Sequence, residues 1–330
     1  MTYWITRIEN CNKLQISNFY EYPVTDDGTI LGTGRYATIR RSKKKQGQSE
    51  SRGNFIADIG HETRAEHYSN GDTSSSNKGA SRSGIMKKKP SFSSLSMVTQ
   101  TTEYDCALKI INKNLFWDRV AKKEERLDAL VRETAVQATL SAFYDDLPLF
   151  LKLKTVFETC DTYMMELECL DGSDLFRYVS STGHLAEVEA AHIVRDVLVA
   201  IYALKRLGIA HRDVKPANIF MVRSSSHENK NDARVKLGDF GMAAFVGADN
   251  KLYGRCGTPG YVAPEILSVG VNIGYENKVD VFSLGVTMYI LLCGYEPFFG
   301  ETDEELISAN KEAKVDFPDL DWKNGMELRM

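Results

Sequence analysis

The feature that most constrains this chain is an octet, His211-Arg212-Asp213-Val214-Lys215-Pro216-Ala217-Asn218, set between two apolar runs. Upstream, from Leu185 to Leu207, the residues Ile193, Val194, Val197, Leu198, Ile201 and Leu204 recur at helical spacing, and Gly208 stands where a helix stops. Downstream, Ile219-Phe220-Met221-Val222 reads as a short buried strand. The octet is therefore a loop between buried elements, carrying an acid, an ammonium and an amide that can face one point. A carboxylate takes a hydroxyl proton, an ammonium offsets phosphate charge and an amide oxygen meets a metal, which suits phosphoryl transfer. A plain polar connector would also use such residues, so the other parts of the chain must decide.

Composition excludes more than it assigns. The 330 residues are 43% hydrophobic, ordinary for a globular protein of mixed α and β structure. A formal charge of −4 gives no reason to expect nucleic acid or an anionic membrane as partner. Six cysteines (Cys11, Cys106, Cys160, Cys169, Cys256, Cys293) are scattered without C-x-x-C pairs, which argues for free thiols in a reducing compartment, cytoplasmic or nuclear. Met1-Thr2-Tyr3-Trp4 opens no signal peptide, and Val281–Cys293 is too short to span a bilayer and reads as a buried helix.

Ahead of the octet, Ile30 to Ile39 forms a glycine-punctuated hairpin, Ile-Leu-Gly-Thr-Gly-Arg-Tyr-Ala-Thr-Ile. Gly32 and Gly34 permit close backbone approach to phosphates, with Leu31 and Ile39 placed to cover a flat ring. Arg41 to Glu103 then changes character: ten serines lie between Ser69 and Thr102, with few large apolar residues. That composition cannot offset its ordering entropy, and a disordered insertion is expected. Strand patterns resume at Tyr104–Ile111, Leu151–Glu158 and Thr162–Leu167, with a helix over Ala129–Leu140 between the first two. A polar insertion is expected at Ser224–Asp232.

Taken together, these stretches resemble eukaryotic Ser/Thr protein kinases, part by part and in order. The octet is similar to the H-R-D-L-K-P-E-N catalytic loop, with Val214 for Leu and Ala217 for Glu. The hairpin resembles G-x-G-x-x-G-x-V, with Ala37 at the third glycine. Cys106-Ala107-Leu108-Lys109 resembles the V-A-I-K strand, Asp239-Phe240-Gly241 the D-F-G tripeptide, and Cys256 to Glu265 the C-G-T-P-x-Y-x-A-P-E segment. Asp280 to Gly285 is similar to D-x-W-S-L-G, and Tyr289 to Phe299 comes nearest the calcium/calmodulin-dependent group, including calcium-dependent and protein kinase D-like enzymes.

The resemblance implies an α+β, two-lobed fold: a five-stranded N-lobe sheet with one helix, and a mostly helical C-lobe. The expected division is a leader over 1–28, an N-lobe over 29–167 with an insertion at about 41–103, and a C-lobe over 168–330 lacking its last helices. It also implies ATP and Mg2+ as cofactors and protein substrates bearing Ser or Thr, with regulatory segments outside this chain. Asp213, Lys215 and Thr258 would be catalytic, and Asn218 and Asp239 metal-binding. The nucleotide would meet Leu31, Gly32, Thr33, Gly34, Arg35, Tyr36, Ala37, Ile39, Ala107, Lys109, Glu133, Glu168, Leu170, Asp174 and Phe220. Leu167 would be the gatekeeper, and the backbone of Glu168 and Leu170 would bond adenine. Asp174 could reach a ribose or a substrate arginine, or cap a helix. Gln137, one turn beyond Glu133, replaces a usual apolar residue.

Such kinases commonly neutralise the arginine beside the catalytic aspartate with a phosphate on the activation segment. Met242 to Gly257 contains no Ser or Thr, so Arg212 is expected to face solvent or Asp249. A scaffold without chemistry is the rival reading; a missing Lys109, Asp213 or Asp239 would have favoured it.

Overall fold

A computed structural model describes residues 6–7, 20–21, 30–34, 36–45, 104–145, 147–222, 235–268 and 273–322. Arg35, the serine-rich segment and the Ser224–Asp232 insertion lie outside these residues.

The strands of the first part are β1 (Thr6–Arg7), β2 (Tyr20–Glu21), β3 (Ile30–Thr33), β4 (Ala37–Lys44), β5 (Cys106–Asn112), β6 (Leu153–Glu158) and β7 (Thr162–Glu168). Five of them, β3 to β7, form the expected antiparallel sheet, with β4 pairing β5, β5 pairing β7 and β7 pairing β6. Strand β4 continues to Lys44, past the point where composition places the start of the insertion, because Ser42 is paired with Cys106 of β5. The leader, unassigned from sequence, adds a short strand at each edge: β1 runs parallel to β6, and β2 antiparallel to the end of β4. Tyr20 of β2 is buried against Phe157 and donates its hydroxyl to the buried Glu166 at 2.6 Å.

Two helices accompany the sheet, α1 (Lys113–Ala121) and α2 (Ala129–Phe143), one more than expected. Asn112 ends β5 and starts α1, its side chain accepting from the Leu115 N–H as an N-cap. Phe116 of α1 is buried and meets the Tyr36 ring edge-on at 5.3 Å, so the added helix supports the glycine hairpin from behind. In α2 the buried positions include Glu133, Val136, Gln137 and Leu140, while Val131 is turned outward.

The helical part opens with α3 (Leu175–Thr182) and α4 (Glu187–Arg206). The buried face of α4 is Ala190, Ile193, Val197, Ala200, Ile201 and Leu204, spaced as a helix in contact with a core requires. Leu198, expected on that face, is exposed instead, since it lies about 100° around the helix from Val197. Gly208 follows with φ +66°, the left-handed stop. Short strands β8 (Ile209–Ala210), β9 (Ile219–Met221), β10 (Val235–Leu237) and β11 (Ala244–Phe245) come next, β9 pairing β10 and β8 pairing β11. Then follow α5 (Pro264–Ser268), α6 (Val279–Cys293), α7 (Asp303–Glu312) and α8 (Asp319–Trp322). Helix α6 takes up the chain's longest apolar run and is buried at Val279, Leu284, Val286, Tyr289, Ile290 and Leu291. Leu284, Val286, Ile290 and Leu291 share one apolar cluster with Ile193, Val197 and Leu204 of α4.

Candidate active site

The octet leaves β8 and immediately turns on Arg212, whose φ of +65° is left-handed and disfavoured for a side chain of that kind. What holds the turn is Asp280, buried at the start of α6. Its carboxylate accepts the backbone N–H of His211 at 2.8 Å and of Arg212 at 2.7 Å. Burial pushes the Asp280 pKa up, and the two amides work against that shift. The sequence shows Asp280 as part of a motif but assigns it no work. Its signal is a carboxylate opening the most apolar helix, a place where an unpaired charge is rare.

The functional groups of the octet converge on Asp213. Thr258 donates its hydroxyl to Asp213 Oδ1 at 2.6 Å and accepts from Lys215 Nζ at 2.6 Å. Lys215 also approaches Asp213 Oδ2 at 2.9 Å. Asn218 donates its amide to the Asp213 carbonyl at 2.8 Å and to Oδ2 at 3.0 Å, which leaves Asn218 Oδ1 to accept a cation. His211 is buried behind them, with Nε2 3.0 Å from the Gly238 carbonyl and its ring 5.1 Å from Phe240.

That carbonyl precedes Asp239, which has a left-handed φ of +56°. Its side chain is 48% exposed, and Lys109 Nζ stands 3.4 Å from Oδ1. The Lys109 ammonium holds the Asp239 pKa below the ordinary aspartate value. Lys109 reaches from β5 to Glu133 on α2 at 2.5 Å. Burial opposes the charge on Lys109, but the carboxylates of Glu133 and Asp239 outweigh it and raise its pKa. Burial also raises the Glu133 pKa. Gln137, the unusual residue of α2, donates to Glu133 Oε1 at 3.3 Å and so supports the pair. Asp239, whose carboxylate is favoured in its charged form, and Asn218, whose amide nitrogen is the atom spent on Asp213, both offer oxygen donors of the type that would suit Mg2+.

On the sheet side, Leu31, Ile39, Ala107, Leu153, Met165 and Leu167 belong to one apolar cluster. Gly34 bonds the Ala37 carbonyl through its N–H at 2.7 Å, closing the hairpin, and Gly32 and Thr33 pair with Ile39 and Thr38. Ala37 lies in β4 opposite Ile111 without a positive φ, so a methyl at the third glycine position is accommodated. Tyr36 reaches Glu125 at 3.3 Å, and burial pushes its phenol up to about 12.

The Glu168 N–H is already spent on the Lys152 carbonyl at 2.9 Å, because Glu168 is still the last residue of a paired strand. The Glu168 carboxylate is engaged too, bonding Lys236 Nζ of β10 at 2.6 Å and the Lys152 N–H at 2.7 Å. Sequence reasoning missed Lys236, since nothing local pairs residues so far apart. Leu170 follows, half-buried. At Gly172 a Cβ would fall 2.0 Å from the Met221 carbonyl, so only glycine lets the chain pass β9 here. Asp174 then caps α3, accepting the Arg177 N–H at 2.9 Å, and its backbone bridges to Phe220. Phe220 in turn packs over Gly238, where a Cβ would stand 2.9 Å from its ring.

Arg212 does not meet Asp249. Its guanidinium bonds the Met242 carbonyl at 2.8 Å, the Tyr253 carbonyl at 3.2 Å and the Tyr275 hydroxyl at 3.1 Å. Asp249 instead takes the Tyr253 hydroxyl on the surface.

A profile described as "Protein kinase domain" matches residues 91–327. The chain belongs to the protein kinase family. This kinase domain is 36% identical over 175 residues to "Myosin light chain kinase A" of Dictyostelium discoideum, covering 53% of this chain and 57% of that protein. A probable myosin light chain kinase of the same organism is 33% identical over 228 residues, covering 69% of this chain and 60% of its own length. "Probable serine/threonine-protein kinase 2" of Plasmodium falciparum (isolate K1 / Thailand) is 35% identical over 215 residues, covering 64% and 40% respectively. The chain thus spans about half the length of the curated relatives it matches. The profile match begins after the glycine hairpin; the pairing of β4 with β5 joins the hairpin to the kinase domain.

Proposed function

We propose that the chain is a Ser/Thr protein kinase, transferring the γ-phosphoryl of ATP to hydroxyls of protein substrates. The observation that carries this is the Asp213–Thr258–Lys215 cluster, held at 2.6 Å contacts with the Asn218 amide on its far side. In this reading Asp213 orients the acceptor hydroxyl and takes its proton as the new P–O bond forms and the bond from the γ-phosphorus to the departing ADP breaks. Lys215 offsets charge on the transferring phosphoryl, with Thr258 fixing the ammonium relative to the base. Lys109, aimed by Glu133, sets the α- and β-phosphates. Leu31, Ile39, Ala107 and Leu167 enclose the adenine, and the hairpin from Gly32 to Ala37 covers the phosphates. Asn218 and Asp239 would hold Mg2+, which neutralises phosphate charge when bound. Lys215 and Thr258 support Ser/Thr rather than Tyr as acceptor.

The segment Tyr289–Phe299 supports placing the domain in the calcium/calmodulin-dependent group. Two relatives carry the name of myosin light chain, which makes a light-chain peptide the first acceptor to try. Cys169 and Cys256 carry free thiols, which supports a reducing compartment such as the cytoplasm. Among the described residues no helix is long and apolar enough to cross a membrane. Control by calcium would come from segments outside this chain.

The test is phosphotransfer from radiolabelled ATP to Ser/Thr peptides, beside Asp213→Asn. Loss of the base should lower turnover by about 10²–10⁴-fold with ATP still bound. Equal transfer by both proteins would refute the assignment.

A further inference from the structure

Arg212 is 8% exposed, and the bonds of its guanidinium described above go to two backbone carbonyls and one side chain, the Tyr275 hydroxyl. That hydroxyl also donates to the Gly254 carbonyl at 2.9 Å, so Tyr275 bridges the octet to the stretch that leads into Thr258. Its backbone is tied to the same stretch: Tyr275 and Leu252 exchange N–H···O bonds of 2.9 and 2.8 Å. Past Gly254 the chain presses onto the octet. Gly257 has φ +111°, and a Cβ there would stand 3.0 Å from the Arg212 carbonyl. The next residue is Thr258, bonded to Asp213 and Lys215.

We infer that Tyr275 is a positioning residue, which holds the Leu252–Thr258 stretch against the octet through Arg212 and keeps Thr258 on Asp213 without a phosphate on that stretch. The inference rests on the kinase reading above and concerns the regulation of the same site. Three features carry it. The buried guanidinium gains a fixed neutral acceptor. The tyrosine ring is itself anchored in an apolar cluster with Leu252, Val262, Ala263 and Val279. No Ser or Thr lies between Met242 and Gly257 to take a phosphate. Burial also pushes the phenol up to about 12, so it remains a neutral donor across the working pH range. The Tyr275 hydroxyl is thereby placed as a permanent strap where a reversible one could have stood.

The test is Tyr275→Phe in the full chain, which removes the hydroxyl and keeps the ring. A hydrogen bond to a charged group is large enough that kcat should fall about tenfold or more, with KM for ATP changed by less than about twofold. Melting temperature should move little, whereas amide exchange at Leu252 and Gly257–Thr258 should quicken several-fold. In an Arg212→Met background, adding Tyr275→Phe should change kcat by less than about twofold, because the strap acts through Arg212. Treating the unmutated chain with a Ser/Thr phosphatase should leave its rate intact, and Tyr253→Phe, which loses only the surface bond to Asp249, should match it. Unchanged exchange in Tyr275→Phe, or losses that multiply in the double variant, overturns the inference. Should the unmutated chain transfer no phosphoryl at all, the kinase reading fails, and the exchange measurement still decides whether Tyr275 holds the stretch.

Discussion

At the scale of single residues, the site runs on charges that hold one another in place. Lys109 faces two carboxylates, and these are shifted in opposite directions: burial raises Glu133, whereas the ammonium lowers Asp239. A glutamate with a raised pKa takes up its proton while the pH is still above its ordinary 4.5. Protonation there removes the partner that aims Lys109, so ATP affinity should fall on the acid side before Asp239 titrates. Measuring the dissociation constant of ATP against pH checks this: the native chain should show the acid limb, and Glu133→Gln should be weaker throughout and flat across it. An acid limb that persists in Glu133→Gln would assign it to another group. Thr258→Ala should also cripple turnover, by about tenfold or more, since it strips one hydrogen bond from Asp213 and one from Lys215. Steady-state kinetics would show the loss in kcat with ATP binding retained.

At the scale of elements, the surprises lie in what props the sheet. Strand β2 brings Tyr20 across the face of the sheet away from the nucleotide side, where Cys106, Leu108, Phe157 and Met164 form a second apolar cluster around it. Its hydroxyl donates to Glu166 Oε2 in a fully buried place. Tyr20→Phe should cost about 1–3 kcal/mol, seen as a melting temperature lower by a few degrees. An unchanged melting curve would show that the hydroxyl adds nothing to the stability of the sheet. None of this was legible in the leader, where aromatic and polar residues alternate without a period. The catalytic elements were far more legible: the helix before the octet, the strand after it and the buried run of α6 are each long or strongly patterned. Leu198 marks the limit of that legibility, because a helical period tells which residues are neighbours but not which flank meets the core.

At the scale of the whole molecule, the chain builds one sheet from strands separated by a long stretch of sequence. The Asp105 N–H bonds the Ser42 carbonyl at 3.1 Å, and Ser42 is paired with Cys106, so the two ends of that stretch leave the sheet side by side. A connector between adjacent strand ends can be short, and shortening it reduces the entropy lost on closing the loop. Replacing residues 49–99 by a few glycines should therefore leave ATP affinity unchanged and shift the melting temperature by no more than about 2 °C. A loss of many degrees would show that the replaced residues pack against the folded body.

What the sequence determined by itself was the family and a candidate chemistry: an aspartate, a lysine, an asparagine and a second aspartate, in motifs that follow one another in the order of a protein kinase. It also determined the helices and strands that carry them, since apolar period is a local property. The tertiary structure alone decided the long-range partners. Asp280 holding the turn at Arg212, Lys236 meeting Glu168, Gln137 bracing Glu133 and Tyr275 taking Arg212 are contacts made by burial and charge together. A buried polar group must find a partner somewhere, and the fold determines which one comes within reach.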